Sequence, residues 1–188
     1  MYDVAVIGGG PAGCSAAVFL AKAGLKTLVL DNDKGMTRRA WMDNHYGCPD
    51  GIGGPDLVEG GRRQATRLGA EWLVAQVTGV DRGEGGFTIT AEDGQRYEAT
   101  RVILATGAAL AVGEAMNLQF TDGREPRFPK VLKVDADGRT HEPGVWAAGV
   151  LAGVSAHTII TAGHGASVAI GLISEQKGQR YVQHDALK

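Results

Sequence analysis

Residues 4–17 read VAVIGGGPAGCSAA, and the fold follows from how this stretch is punctuated. Tyr2 to Ile7 is a β-rich, nearly all-apolar run, the pattern of a strand buried on both faces of a parallel sheet. It ends at Gly8. Ala12 to Ala23 is rich in Ala and Leu with Gly24 directly behind it, which predicts a helix with a glycine stop. Leu25 to Leu30 is a second strand. In the turn, Gly8, Gly10 and Gly13 hold the G-x-G-x-x-G spacing. Gly8 permits the tight strand-to-helix turn, Gly10 lets the backbone approach a pyrophosphate, and Gly13 lets helix and strand pack closely. The helix start, with Pro11 and Ala12, offers free N–H groups and a positive dipole end to phosphates. Asp31 ends the second strand about 20 residues beyond the glycines, where a carboxylate can bind ribose hydroxyls. The unit is a dinucleotide cradle; the fingerprint alone does not separate FAD from NAD.

Outward from the cradle, Asp31 to Gly54 is polar, with Gly, Pro, Asn and several aromatics, and reads as a long functional loop holding a short helix. A helix is expected from Asp56 to about Leu68 and a strand over Glu71 to Val77. Val77 to Thr106 alternates strand and turn, with breaks at Gly83 to Gly86 and Glu92 to Gly94. That spacing predicts a small antiparallel meander returning through Arg101 to Ala105 into the main sheet. Ala108 to Pro143 reads as irregular, with one strand at Lys130 to Asp135. Val145 to Ala148 is a final buried strand and Ser155 to Ser174 a helix rich in small residues. The polar tail from Glu175 is expected to be poorly ordered. The fold class is therefore α/β: one Rossmann-like domain over residues 1–188, its sheet mostly parallel, with a small antiparallel β-meander.

Composition narrows the function classes. Of 188 residues, 29 are Gly, about twice the usual share of roughly 7% and without a triplet period. A net charge of −2 with both signs mixed lacks the electrostatic footprint of a nucleic-acid binder. Two cysteines, Cys14 and Cys48, make no disulfide framework and suit a reducing cytoplasm. The apolar run Val102 to Val112 is too short to span a bilayer, and the first Lys is Lys22 with Asp3 before it, so the basic region of a secretory signal is not expected. No nucleic acid and no membrane are expected as partners.

The chain resembles the two-dinucleotide-binding flavoproteins, and most closely the thioredoxin reductase family, in four ordered stretches. These are GGGPAGCSAA from Gly8 to Ala17, NHYGCPDGIGGPDLVEGGRRQATRLGA from Asn44 to Ala70, VILATG from Val102 to Gly107, and PGVWAAG from Pro143 to Gly149. The resemblance implies that the ligand is FAD. Asn44 then begins a loop beside the flavin. Ala105, Thr106 and Gly107 lie where the chain crosses back past the cofactor. Gly149, Val150, His157 and Thr158 face the flavin or its ribityl arm, and Val77 presents its backbone to the adenine. Family members commonly dimerise, so a homodimer is expected.

Three departures qualify the resemblance. The family inserts an NADPH-binding domain between the Ala-Thr-Gly stretch and the final strand. Gly107 to Gly149 is far too short for the order of 100 residues that such a domain takes, and no second G-x-G-x-x-G occurs. The family's C-x-x-C disulfide is absent. Its Ala-Gly-Asp after the last strand is Ala148-Gly149-Val150 here, and Val150 cannot accept a ribityl hydrogen bond. The family's Arg-Gln at the last helix aligns with Ala156-His157.

No residue stands out as a general acid or base. Cys48, in the loop beside the flavin, and His157, as a donor to its edge, are the weak catalytic candidates; loop packing and helix capping are the bland alternatives for them. Cys14, in the first turn of the phosphate helix, stands where the dipole lowers a thiol pKa, although a small buried Cys is the commoner case. Trp41, His45 and Tyr46 are candidates to wall the flavin, and His164 is expected simply to pack. Asp135, Asp137 and Gly138 fit a turn after a strand better than a calcium loop. The implied activity is an FAD-dependent oxidoreductase drawing on a separate donor or acceptor, either a protein or diffusible NAD(P)H. The alternatives are an FAD-holding sensor, carrier or subunit without turnover, and a scaffold that has lost the cofactor.

Overall fold

A computed structural model describes residues 1–182, 185 and 186. The opening unit forms as the punctuation predicts. Strand β1 (Tyr2–Ile7) feeds helix α1 (Pro11–Lys22), and the chain returns in β2 (Thr27–Asp31). Pro11 sits in the first turn of α1, where its missing N–H is not needed and its fixed φ is already helical. The long loop holds a 3-10 turn (Met36–Arg39) and a two-stranded antiparallel ribbon, β3 (Trp41–Met42) with β4 (Ile52–Gly53). Two-residue strands carry no readable period, so this ribbon is invisible in the sequence. Helix α2 (Gly54–Arg67) follows, again opened by a proline.

The strand expected over Glu71 to Val77 ends at Val74, and the meander opens at Val77 as the alternation predicts. β5 (Glu71–Val74) pairs with β2, and β6 (Val77–Gly83) opens the meander. The break between them is fixed by the Ala75 N–H donating to the Asp31 carbonyl at 2.9 Å. β7 (Gly86–Ala91) and β8 (Arg96–Leu104) complete the meander. The next segment, expected to be irregular apart from a strand at Lys130 to Asp135, is a folded connector in which that strand is shorter. It contains α3 (Ala111–Ala115) and a hairpin of β9 (Phe120–Asp122) with β10 (Lys130–Leu132). β11 (Val145–Ala147) and α4 (Thr158–Lys177) close the chain. α4 ends at Lys177 rather than Ser174, capped by Gly178. Beyond it, the Tyr181 N–H donates to Ser174 Oγ at 3.0 Å and Lys22 pairs with Asp185. The part of the expected frayed tail at residues 183, 184, 187 and 188 lies outside the described residues.

The parallel strands run in the order β5-β2-β1-β8-β11. β8 joins the two sheet types. Its first half pairs antiparallel with β7, from Phe87↔Ala99 to Thr90↔Arg96, and Val102 to Leu104 pair in parallel with β11. β1 alternates between two cores, as a doubly covered strand must. Val4 and Val6 face Leu20, Leu172 and Ile173 of α1 and α4, while Ala5 and Ile7 face Ile89, Leu132 and Leu151 on the meander and connector side. Full burial of each large aliphatic is worth about 1.5–3 kcal/mol, so the three layers are held from both sides of the sheet. Among the described helices, none is long and apolar enough to cross a membrane.

Candidate functional site

The ends of β1, β2, β8 and β11 converge on a cleft of about 890 Å³. Its floor is the glycine turn, and each glycine there has a separate steric reason. Gly8 has φ +102°, and a Cβ would lie 2.4 Å from the Ala105 carbonyl oxygen. Gly13 packs so closely under the turn that a Cβ would lie 1.8 Å from the Gly8 oxygen. At Gly10 a Cβ would meet no protein atom within 4 Å, so that position opens into the cleft. Pro11 has no N–H and the Cys14 N–H already reaches the Gly10 carbonyl at 2.8 Å. The Ala12 and Gly13 N–H groups are therefore the first-turn donors without an intrahelical partner. Gly9 is a glycine that the spacing argument passes over. A Cβ there would strike Trp72 at 2.3 Å, and its N–H donates to Asp31 Oδ1 at 2.8 Å.

Asp31 is buried at the far end of the cleft. Its Oδ2 takes the Asp33 N–H at 3.3 Å, and Arg38 stands 4.0 Å from it while also pairing with Asp33. Beside it Val77 lines the cleft with its carbonyl engaged by Gln76 Nε2 at 3.0 Å. Ala105, Thr106 and Gly107 line the opposite wall, and the Thr106 hydroxyl turns back to the Ala109 carbonyl at 2.6 Å.

The Gly149 turn closes the third side. Its N–H donates to His164 Nδ1 at 3.1 Å, and burial holds the His164 pKa below the ordinary imidazole value. His164, expected simply to pack, thus supports the turn that presents Gly149 and Val150, and in doing so must be neutral, with its proton on Nε2. At the start of α4, Thr158 lines the cleft and its hydroxyl lies 2.8 Å from His45 Nδ1. This contact anchors the long loop to the helix. The connector then adds Glu125, Arg127 and Phe128 to the lining. Glu125 Oε1 accepts the Ala156 N–H at 3.0 Å, and the Ser155 hydroxyl and that N–H hold its carboxyl below the usual carboxylate range.

Of the expected cofactor residues, Gly8, Gly10, Pro11, Ala12, Asp31, Val77, Ala105, Thr106, Gly107, Gly149, Val150 and Thr158 are brought together around one cleft. Gly13 lies beneath its floor. Asn44 is exposed on the long loop and His157 faces Ser155 Oγ at 2.8 Å; neither is among the lining residues. Trp41 and Tyr46 are exposed and Cys48 is half-buried, all likewise outside the lining. Cys14 is the small buried cysteine of the commoner reading, not a dipole-activated thiol. Burial pushes its thiol up to about 12, and its Sγ–H lies 3.1 Å from the Gly9 carbonyl and 3.7 Å from that of Val58. Asp135 is occupied by its own turn, accepting the Asp137 and Arg139 N–H groups at 2.9 Å. Glu125, Arg127 and Phe128 could not be found from the resemblance, because the connector is where the chain departs from it.

The cleft fits a dinucleotide. The open Gly10 position and unpaired first-turn donors suit a pyrophosphate, and buried Asp31 suits a ribose. At the other end buried Val150 offers no acceptor.

A family model described as pyridine nucleotide-disulphide oxidoreductase matches residues 2–125. The chain is 36% identical over 113 residues to the thioredoxin reductase of Aquifex aeolicus, covering 57% of this chain and 34% of that protein. It is 40% identical over 114 residues to the bifunctional thioredoxin reductase/thioredoxin of Mycobacterium leprae, covering 58% and 25%. The matched stretch thus spans about a third or less of these relatives. Among solved structures, a thioredoxin reductase from Gloeobacter violaceus aligns with a TM-score of 0.80 at 20% identity, over 100% of this chain and 99% of that one. The atypical thioredoxin reductase from Desulfovibrio vulgaris Hildenborough aligns at 0.77 and 24% identity, over 95% and 99%. These two establish a shared fold. The family model covers the glycine cradle, Asp31, the meander and the crossover, and on that ground the chain belongs to the pyridine nucleotide-disulphide oxidoreductase family, as a domain related to thioredoxin reductase.

Proposed function

We propose that the protein is an FAD-dependent oxidoreductase that passes electrons between its flavin and a separate donor or acceptor. The observation that carries this is the cleft itself: a pyrophosphate cradle open at Gly10, with Asp31 at one end and the Gly107–Gly149 walls at the other. Gly8, Gly10 and the Pro11–Gly13 turn would hold the pyrophosphate, Asp31 the ribose and Val77 the adenine side. Ala105, Thr106, Gly107, Gly149, Val150 and Thr158 would line the flavin end, with Asn44 and His157 at its rim. The flavin supplies the two-electron chemistry when bound; the chain supplies position and field. Val150 costs the ribityl end an acceptor, weakening binding by roughly 1–3 kcal/mol against a carboxylate there.

The donor is a diffusible nicotinamide or a thiol protein, since the segment between Gly107 and Gly149 holds a hairpin and a short helix in place of a second nucleotide fold. The test is the absorbance spectrum of the purified protein with added FAD, followed by anaerobic titration with NADPH, NADH and dithiothreitol. A yellow protein bleached by one of them is expected. A colourless protein that takes up no FAD sinks the cofactor assignment. A yellow protein that none of them reduces sinks the oxidoreductase and leaves a flavin-holding sensor or carrier. The lack of a C-x-x-C pair and of a second G-x-G-x-x-G is what favours that second reading. We also infer a homodimer working in a reducing cytoplasm; sedimentation at the mass of a single 19.6 kDa chain would exclude the dimer.

A further inference from the structure

Among the described residues that line the cleft, Asp31 and Glu125 are the carboxylates. Asp31 ends β2 and belongs to the ribose end. Glu125 comes from the connector, and two contacts place it at the end that holds Val150. The connector hairpin rests on the turn behind Val150, because a Cβ at Gly153 would meet Val131 at 3.3 Å. Glu125 Oε1 accepts the Ala156 N–H at 3.0 Å, and the Ser155 hydroxyl donates to the same carboxylate. Those two donors, with His157 and Arg127 acting through space, favour the ionised form. Glu125 is thus an oriented anion on the wall of the cleft, with its charge balanced by its neighbours.

Side-chain acceptors are otherwise scarce at that end. The Thr106 hydroxyl donates to the Ala109 carbonyl and the Thr161 hydroxyl to the Thr158 carbonyl. The Thr158 hydroxyl lies against His45 Nδ1, and Val150 is hydrocarbon. An ionised carboxylate has about four lone-pair sites, and Ala156 and Ser155 occupy only part of that capacity. The flavin half of FAD brings donors to this end, in its ribityl hydroxyls and its ring N–H. Donors that leave water without finding an acceptor weaken binding, and a charged acceptor answers them best. We propose that Glu125 is a specificity-determining residue for the flavin half of the cofactor, its carboxylate accepting a hydrogen bond from an O–H or N–H of that half. The inference rests on the FAD reading and adds to it the group that tells FAD from its adenine half alone.

The experiment titrates FAD, and separately ADP, into flavin-free protein by calorimetry, using the unaltered chain, Glu125→Ala and Glu125→Gln. Gln keeps a carbonyl for the Ala156 N–H, so it preserves the link between the connector and α4 while turning the other carboxylate oxygen into a donor. Both variants should weaken FAD binding by roughly tenfold or more, with ADP, which occupies the Asp31 end, bound as before. Three results overturn the proposal. Glu125→Gln binding FAD as the unaltered protein does, while Glu125→Ala does not, makes the residue a strut for α4. Equal losses of FAD and ADP make it a support of the whole cleft. Unchanged FAD affinity in both variants shows that the carboxylate meets no donor, and removes this inference while leaving the FAD reading in place. An unaltered protein that takes up no FAD removes the FAD reading and this inference with it.

Discussion

Cys14 and His164 stand on neighbouring supports of the cleft, and burial drives both toward their neutral forms. For Cys14 this means a thiol held up to about 12, which removes the nucleophilic thiolate at neutral pH. Iodoacetamide labelling of the native protein at pH 8, read by peptide mass, should therefore modify Cys48 and spare Cys14. Equal labelling of both in folded protein would contradict the burial. For His164 the pKa is lowered, so the unfolded chain binds a proton that the folded chain does not. The folded state therefore gains stability above the unfolded value of about 6.5, and loses it as pH falls through the depressed folded pKa. The Gly149 N–H needs a neutral acceptor, which sets the same direction. His164→Ala should flatten that acid limb of the melting temperature against pH and cost about 1–2 kcal/mol. An unchanged acid limb in the variant would remove His164 from this role.

At the scale of elements, the glycine turn separates stability from binding. Gly10→Ala adds a methyl into open cleft at a φ of −70°, which any residue adopts. It should leave the melting temperature nearly unchanged, within about 0.5 kcal/mol, while weakening FAD uptake tenfold or more by fluorescence titration. Gly13→Ala instead drives a methyl toward the Gly8 oxygen and should cost about 3 kcal/mol, the upper end of ordinary overpacking. A Gly10→Ala protein that binds FAD as before would mean that no ligand approaches that backbone. The same logic ties α4 to the cradle. A Cβ at Gly165 would lie 2.0 Å from the Ala12 carbonyl, so α4 rests directly on the first turn of α1. Gly165→Ala should lower stability and FAD affinity together, because it separates the two elements that share the cleft.

For the whole molecule, the sheet is covered by two distinct cores. Leu20 lies in the helix-side layer and Ile89 in the meander-side layer, and both are fully buried. Each substitution to Ala should cost about 2–5 kcal/mol. The sheet stands between the two sites, so the double variant should equal the sum of the single losses to within about 0.5 kcal/mol in urea unfolding. A large departure from additivity would show that the layers communicate through the sheet.

The β-α-β start, the three spaced glycines, Asp31 and the return through Val102–Gly107 were all legible in the sequence. Each is a local pattern in which the residue types themselves impose the conformation. Of the connector, only the strand beginning at Lys130 was legible. Short strands such as Phe120–Asp122 carry too few residues for a period, and the likeness to relatives stops where the chain departs from them. Only the tertiary structure decided that Glu125, Arg127 and Phe128 come to the cleft, and that Asn44 and His157 stand outside its lining. It also decided what Cys14 and His164 do. Their place in the sequence offers Cys14 either dipole activation or the commoner small buried role, and makes His164 a packing ring. Burial and the carbonyl and amide groups that surround them make an inert thiol and a backbone acceptor. Sequence determines what the chain does to itself over a few residues. Protonation and the walls of a cleft depend on what long-range packing brings within a few ångströms, and no local pattern records that.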